Sequence, residues 1–125
     1  MPDLSRAKAF SGFSVDDVPK AKAFYGNTLG LDVTEENGML NLHLGGGTNV
    51  LAYPKGDDHV PAAFTILNFG VADVPATVDE LTAAGITFER YEGHGQDERG
   101  VAHNGGPLIA WFKDPAGNIL SVIEE

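Results

Sequence analysis

Phe13-Ser14-Val15-Asp16-Asp17-Val18-Pro19 and Phe69-Gly70-Val71-Ala72-Asp73-Val74-Pro75 are nearly one phrase written twice. Phe, Val, Asp, Val and Pro return at the same spacing. A fainter echo follows each copy: Gly30-Leu31-Asp32-Val33 against Gly85-Ile86-Thr87-Phe88. A repeat of this kind makes one supersecondary unit the building block and the chain a pair of them. Each copy opens as a strand, because apolar and small or polar residues alternate with period two. Phe13 and Val15 form the oily face of the first strand, and Leu67, Phe69 and Val71 that of the second. Those faces are expected to pack on helices. Each strand stops at an Asp suited to cap a helix, since its carboxylate accepts an orphan backbone N–H. Pro19 and Pro75 then sit in a first turn, where a missing N–H is harmless.

Outward from the phrase, the periods alternate between helix and strand. Val18, Ala21, Phe24, Tyr25 and Leu29 form a helical stripe, as do Val74, Val78 and Leu81. Gly30 and Gly85 fit the left-handed position that ends a helix. Leu31 to Glu35 and Met39 to Leu44 read as strands joined by Asn37-Gly38, a hairpin signal. Gly45-Gly46-Gly47 turns the chain into a strand over Val50 to Tyr53. These glycines form no phosphate loop, because the Lys and Ser/Thr that would follow one are missing. In the second half, Thr87 to Tyr91, Leu108 to Lys113 and Ile119 to Ile123 are expected strands. Asp114-Pro115-Ala116-Gly117-Asn118 is the last turn. The result is α+β: two tandem βαβββ modules in one domain over 1–125. Module one covers about 7–55 and module two about 62–124, with a Pro- and Gly-bearing linker over about 54–61.

Composition removes several classes of function. The chain has 125 residues and a formal net charge of −10, which repels phosphate backbones and anionic membranes. It has no cysteine, so disulfides, thiolate metal sites and cysteine nucleophiles are excluded. No run approaches the ~20 apolar residues of a membrane span, and the first ten residues lack the apolar core of a signal peptide. A cytoplasmic location is the expectation. No G-x-S-x-G, H-E-x-x-H or paired C-x-x-C motif is present.

Phe24-Tyr25 followed by Leu29-Gly30-Leu31 resembles the first-helix signature of the vicinal oxygen chelate superfamily, which groups glyoxalase I, extradiol dioxygenases and bleomycin-resistance proteins. Asp114-Pro115-Ala116-Gly117-Asn118 resembles that family's last-hairpin motif. With the duplicated strand–Asp–helix opening, the resemblance spans about Lys8 to Glu124. It implies two βαβββ modules whose sheets curl around a shared cavity, and a homodimer. In the family's enzymes it also implies one divalent metal, held by ligands from the first and fourth strands of each module. Carried onto this chain, those positions fall at Phe10, Val50, Ile66 and Ser121. Three are hydrocarbons, and divalent transition metals need imidazole, thiolate or carboxylate donors. A slip of one residue brings Ala9, Ser11, Asn49, Leu51, Thr65, Leu67, Leu120 or Val122, which are no better. No metal ligand and no catalytic residue are therefore assigned.

The remaining candidates concern binding. His43 is either a pocket base or a half-exposed strand histidine. His59 lies in the linker. His94 and His103 are nine residues apart and match no metal spacing. They belong to the stretch from Glu92 to Pro107, which stands where module one has a two-residue turn. A loop this long reads as a mobile rim over a site or as plain disorder. Arg99 could anchor a carboxylate through its planar fork or pair with neighbouring acids. Trp111, the only tryptophan, stacks a ligand if it faces a cavity and is core if it faces a helix.

The expected function is metal-free binding or sequestration of a small hydrophobic or aromatic molecule, as in the bleomycin-resistance branch. The wall would comprise Phe10, Gly12, Ser14, His43, Val50, Ile66, Asn68, Arg99, Trp111 and Ser121. The competing reading is a metal-dependent enzyme, a glyoxalase I-type lyase or isomerase or a dioxygenase, with one divalent ion on shifted ligands.

Overall fold

The computed structural model describes residues 3–125. By its contacts the chain divides into two compact units, with the boundary between Asp58 and His59. It falls inside the Pro- and Gly-bearing linker.

The first unit runs β1 (Ser11–Val15), α1 (Val18–Lys22), a π-helical turn (Ala23–Thr28), β2 (Asp32–Glu36), β3 (Met39–His43) and β4 (Asn49–Pro54). The strands order β1-β4-β3-β2, with β1 parallel to β4 and the other pairs antiparallel. The second unit runs β5 (Thr65–Val71), α2 (Val74–Ala83), β6 (Ile109–Lys113) and β7 (Ile119–Glu124), ordered β5-β7-β6. Again the first strand is parallel to the last. The repeat in the sequence is thus a repeat in topology.

Both helices begin as their sequences require. Asp17 Oδ1 accepts from the Lys20 N–H and Asp73 Oδ1 from the Ala76 N–H, each at 3.0 Å. Such a cap contributes about 1 kcal/mol. The helices end differently. Gly85 (φ 99°) closes α2 with Ile86 N–H donating to Leu81 O and Gly85 N–H to Thr82 O, the paired bonds of a Schellman motif. In the first unit Leu29 N–H reaches Phe24 O and Leu31 N–H reaches Tyr25 O, one residue wider. Asp17 to Gly30 is one residue longer than Asp73 to Gly85. The π turn absorbs that extra residue and keeps Tyr25 buried against Phe13, ring centroids 5.8 Å apart.

In each unit one sheet face is core. Phe13, Val15, Leu40, Leu42, Val50 and Ala52 share a face of the first sheet and are buried, with Ala21 and Tyr25 of the helical segment. Ala110, Phe112, Leu120 and Val122 do the same in the second, with Val74 and Val78 of α2. Each fully buried side chain of this kind contributes roughly 1.5–3 kcal/mol. Opposite pleats form the other face. In the first sheet these are Gly12, Ser14, Thr34, Asn41, His43, Leu51 and Tyr53.

Three expectations need correction. Val50 sits on the core face, 7% exposed, because its register partners Ser11 and Leu42 share the pleat of Phe13 and Leu40. Leu51 is the open-face residue there. Ile66 is the extra residue of a bulge: Thr65 pairs with Ile119 and Leu67 with Leu120, leaving it no partner in the ladder. A bulge resets the alternation from which a face is read in sequence. Phe10 precedes β1 and is 71% exposed.

The expected strand from Thr87 to Tyr91 survives as one bridge, Phe88 to Phe112, plus the Glu89 N–H on Trp111 O. The place further along β6, opposite Ile109, is taken by Ala102 from the far end of the long loop. That loop is neither a bare rim nor disorder. Val101 and Ala102 are buried in it, and it covers the outer edge of β6. An uncovered edge would offer unpaired N–H and C=O groups.

Candidate functional site

On the open face of the second sheet, Trp111 pairs across to Ser121, and Ser121 to Asn68. Cross-strand partners point to one side, so the three side chains stand in a row. The Ser121 hydroxyl, buried, donates to Asn68 Oδ1 at 2.6 Å. Half-buried Trp111 shares its ring with two others. Tyr91 lies 5.5 Å away and His94 5.4 Å away by centroids, and those two are 6.0 Å apart. All three contacts are edge-to-face, the geometry that ring quadrupoles favour. Tyr91 has left the ladder by then, since Ala102 and not Tyr91 pairs with Ile109.

The loop is tied by two polar side chains. Gln96 Nε2 donates to Glu89 O and Gly100 O, each at 2.8 Å, and its Oε1 accepts the Tyr91 N–H at 2.6 Å. Asp97 Oδ1 accepts from the Arg99 and Val101 N–H groups, and Oδ2 meets His103 Nε2 at 2.9 Å. Burial raises the Asp97 carboxyl pKa, but these hydrogen bonds outweigh it and hold the group below its ordinary value. Arg90 adds bonds to the carbonyls of Asp97 and Glu98.

Among the described residues the other buried side-chain polar atoms are paired, which makes one exception informative. The Tyr91 hydroxyl is buried with no hydrogen-bond partner among the described residues. Burial, and then the negative charge of Glu89, push its pKa above the ordinary phenol value. It therefore stays protonated at neutral pH and can donate.

Arg99 is not free for a ligand: its Nε holds Asp79 Oδ1 of α2 at 2.8 Å. His59 Nε2 meets Ala116 O at 2.8 Å, and Ala62 N–H donates to Asn118 Oδ1, so the linker is sewn to the last turn. His43 stands on the open face of the first sheet, as its alternation predicts. Its Nε2 meets Thr34 Oγ1 at 2.9 Å and its Nδ1 meets Asn49 Oδ1 at 3.0 Å. With the amide oxygen as acceptor, the ring proton sits on Nδ1 and Nε2 takes the threonine hydroxyl. Both nitrogens are engaged. Gly12 and Ser14 share that face, and Tyr53 lies along β1 where a Cβ on Gly12 would meet its ring at 3.5 Å. An open groove of about 610 Å³ lies elsewhere in the first unit, lined by Pro19, Lys22, Gly26, Asn27, Asp32 and Glu35. The Lys22–Glu35 pair at 3.5 Å joins two residues of its wall. Of its wall only Asp32, the register partner of His43, belongs to the open face of the first sheet.

A sequence-family model, that of the glyoxalase/bleomycin resistance protein/dioxygenase superfamily, matches residues 9–122. The chain belongs to that superfamily. Solved structures agree on the fold. A hypothetical protein from S. aureus is similar with a TM-score of 0.70 and 19% identity, over 97% of this chain and 99% of that one. A superfamily member from Sphaerobacter thermophilus gives 0.69 and 22%, over 94% and 98%. TnmS3, an antibiotic binding protein from a Streptomyces species, gives 0.68 and 23%, over 95% and 97%. No curated protein matches the chain.

Membership raises the question of a metal, and the side chains at the family's ligand positions do not fit one. Among the described residues no three His, Asp or Glu side chains converge. The first- and fourth-strand positions carry Phe10, Val50, Ile66 and Ser121, and the open-face neighbours of the misplaced ones are Leu51 and Thr65. None supplies an imidazole or carboxylate.

Tyr91 and Gln96 were missed in the sequence. Tyr91 reads there as the tail of a strand. The only hint is an aromatic residue placed just before a glycine-rich loop.

Proposed function

We propose that this chain is a metal-free binding protein that holds a small, flat, aromatic or hydrophobic molecule and so sequesters or senses it. The observation that carries the reading is the row Trp111–Ser121–Asn68 with the Tyr91 and His94 rings set around Trp111. Aromatic edges and faces beside a few fixed polar atoms are what such ligands need. The donor set at the family's metal positions supports the same choice over metal chemistry. TnmS3, similar in fold, is named as an antibiotic binding protein, which makes the reading a use the fold can serve.

The test is direct, since Trp111 is the only tryptophan. Its emission is followed while a panel of planar polycycles, an anthracycline among them, is titrated in. Saturable quenching at micromolar concentration is expected, unchanged by EDTA. A flat response to the whole panel, or binding abolished by chelator, would sink the proposal.

A further inference from the structure

We propose that the Tyr91 hydroxyl is the specificity element of this site, donating a hydrogen bond to a carbonyl or quinone oxygen of the ligand. The inference rests on the binding reading above and deepens it. A buried hydroxyl without a partner is uncommon, because it loses its bonds to water and regains nothing. The nearby Gln96 and Asp97 side chains have hydrogen bonds on every polar atom, so the exception is local. Tyr91 is also fixed in place: Gln96 Oε1 holds its N–H at 2.6 Å, and its ring meets Trp111 edge-on.

Access runs past His94. That residue is exposed, it touches both rings, and Gly93 (φ 83°) and Gly95 (φ 58°) flank it. Its backbone is held, since Asn104 Nδ2 donates to His94 O at 2.8 Å. In this proposal the imidazole is the part that yields, by a turn about its side-chain bonds, and exposed side chains make such turns in ps–ns. A flat ligand then takes the imidazole's place against Trp111 and presents an acceptor to the phenol. A ligand with an acceptor gains that hydrogen bond, whereas an analogue without one leaves the hydroxyl as unpaired as before and gains nothing there.

The experiment compares two cationic probes, 2-(aminomethyl)anthraquinone and 2-(aminomethyl)anthracene, which match in shape and differ in the two carbonyls. Affinities are measured by calorimetry on the full chain and on Tyr91→Phe. The unmodified protein is expected to prefer the quinone by about tenfold, the worth of one hydrogen bond. Tyr91→Phe should erase that preference, so that the two probes bind alike. Without ligand, Tyr91→Phe should melt at the same temperature or a few degrees higher, since it deletes an unpaired polar atom. Equal binding of both probes by the unmodified protein, or a preference that survives in Tyr91→Phe, overturns the assignment and leaves the binding reading standing. A lower melting temperature for Tyr91→Phe also overturns it, by showing the hydroxyl bonded within the fold. If neither probe binds and the wider panel fails too, the binding reading falls and takes this one with it.

Discussion

Gln96 does with one side chain what a strand would do with its backbone. Past Glu89 the chain leaves the edge of β6, and the carbonyls of Glu89 and Gly100 and the N–H of Tyr91 would lose their partners. The amide of Gln96 meets all three. Gln96→Ala is therefore expected to cost about 1–3 kcal/mol, the penalty for leaving part-buried backbone groups unpaired. It should also blunt the Trp111 fluorescence change with ligand, since Tyr91 loses its anchor. Denaturant unfolding followed by circular dichroism checks the first effect. Asp97 adds a pH dependence. Its folded pKa lies below its ordinary value of 3.8. Its stabilising effect is thus fully present above that value and is lost as pH falls through the folded one. Hydrogen exchange at the Val101 amide, corrected for intrinsic rate, should show loop protection falling away below about pH 3.8. In Asp97→Asn that acid step should vanish.

At the scale of elements, faces matter more than residue types. Val50 and Leu51 are adjacent hydrocarbons on β4, yet Val50 is buried in the core and Leu51 stands half-exposed on the open face. Val50→Asp is expected to unfold the protein or cost several kcal/mol, because a charge would lie unpaired on the core face beside buried Leu42. Leu51→Asp should cost far less, and thermal melts of the pair measure the difference. Equal losses would show the register of β4 to be wrong. The helix caps are a second element-level test. Asp73→Ala removes the bond to the Ala76 N–H and is expected to lower stability by about 1 kcal/mol.

For the molecule as a whole, the charge and the donor chemistry decide what can bind. A net charge of −10 attracts cations in general, but with no set of three metal donors among the described residues, stoichiometric nickel, zinc or manganese should leave the melting temperature unchanged. A bound ligand should raise it: at one hundred times its dissociation constant the stabilisation is about 2.7 kcal/mol. A clear rise with one equivalent of metal would overturn the metal-free reading. No helix among the described residues is long and apolar enough to cross a membrane.

Local signals sufficed where the cause of structure is local. The two Asp caps, the Asn37-Gly38 turn (φ 53° and 77°), Gly30 and Gly85 at positive φ, and the α+β pattern were all legible in the sequence. Each depends on a few neighbouring residues and on steric rules that hold anywhere in a chain. The duplication announced the repeated strand order for the same reason. The open-face positions of Gly12, Ser14, His43 and Asn68 followed from alternation, which works while a ladder is unbroken. It failed at Ile66, where a bulge inserts a residue; Val50 came instead from the family resemblance, and the pairing register with β1 and β3 puts it on the core face. The surroundings of Trp111 were beyond any pattern. Tyr91 meets Trp111 across twenty residues in a position no ladder sets, since Ala102, from the far end of the loop, takes its slot on β6. Arg99 meets Asp79 across the same interval of sequence by the packing of that loop on α2. Such contacts belong to the tertiary structure, because which residue fills a sheet edge depends on competition between distant segments and not on either segment's own preference.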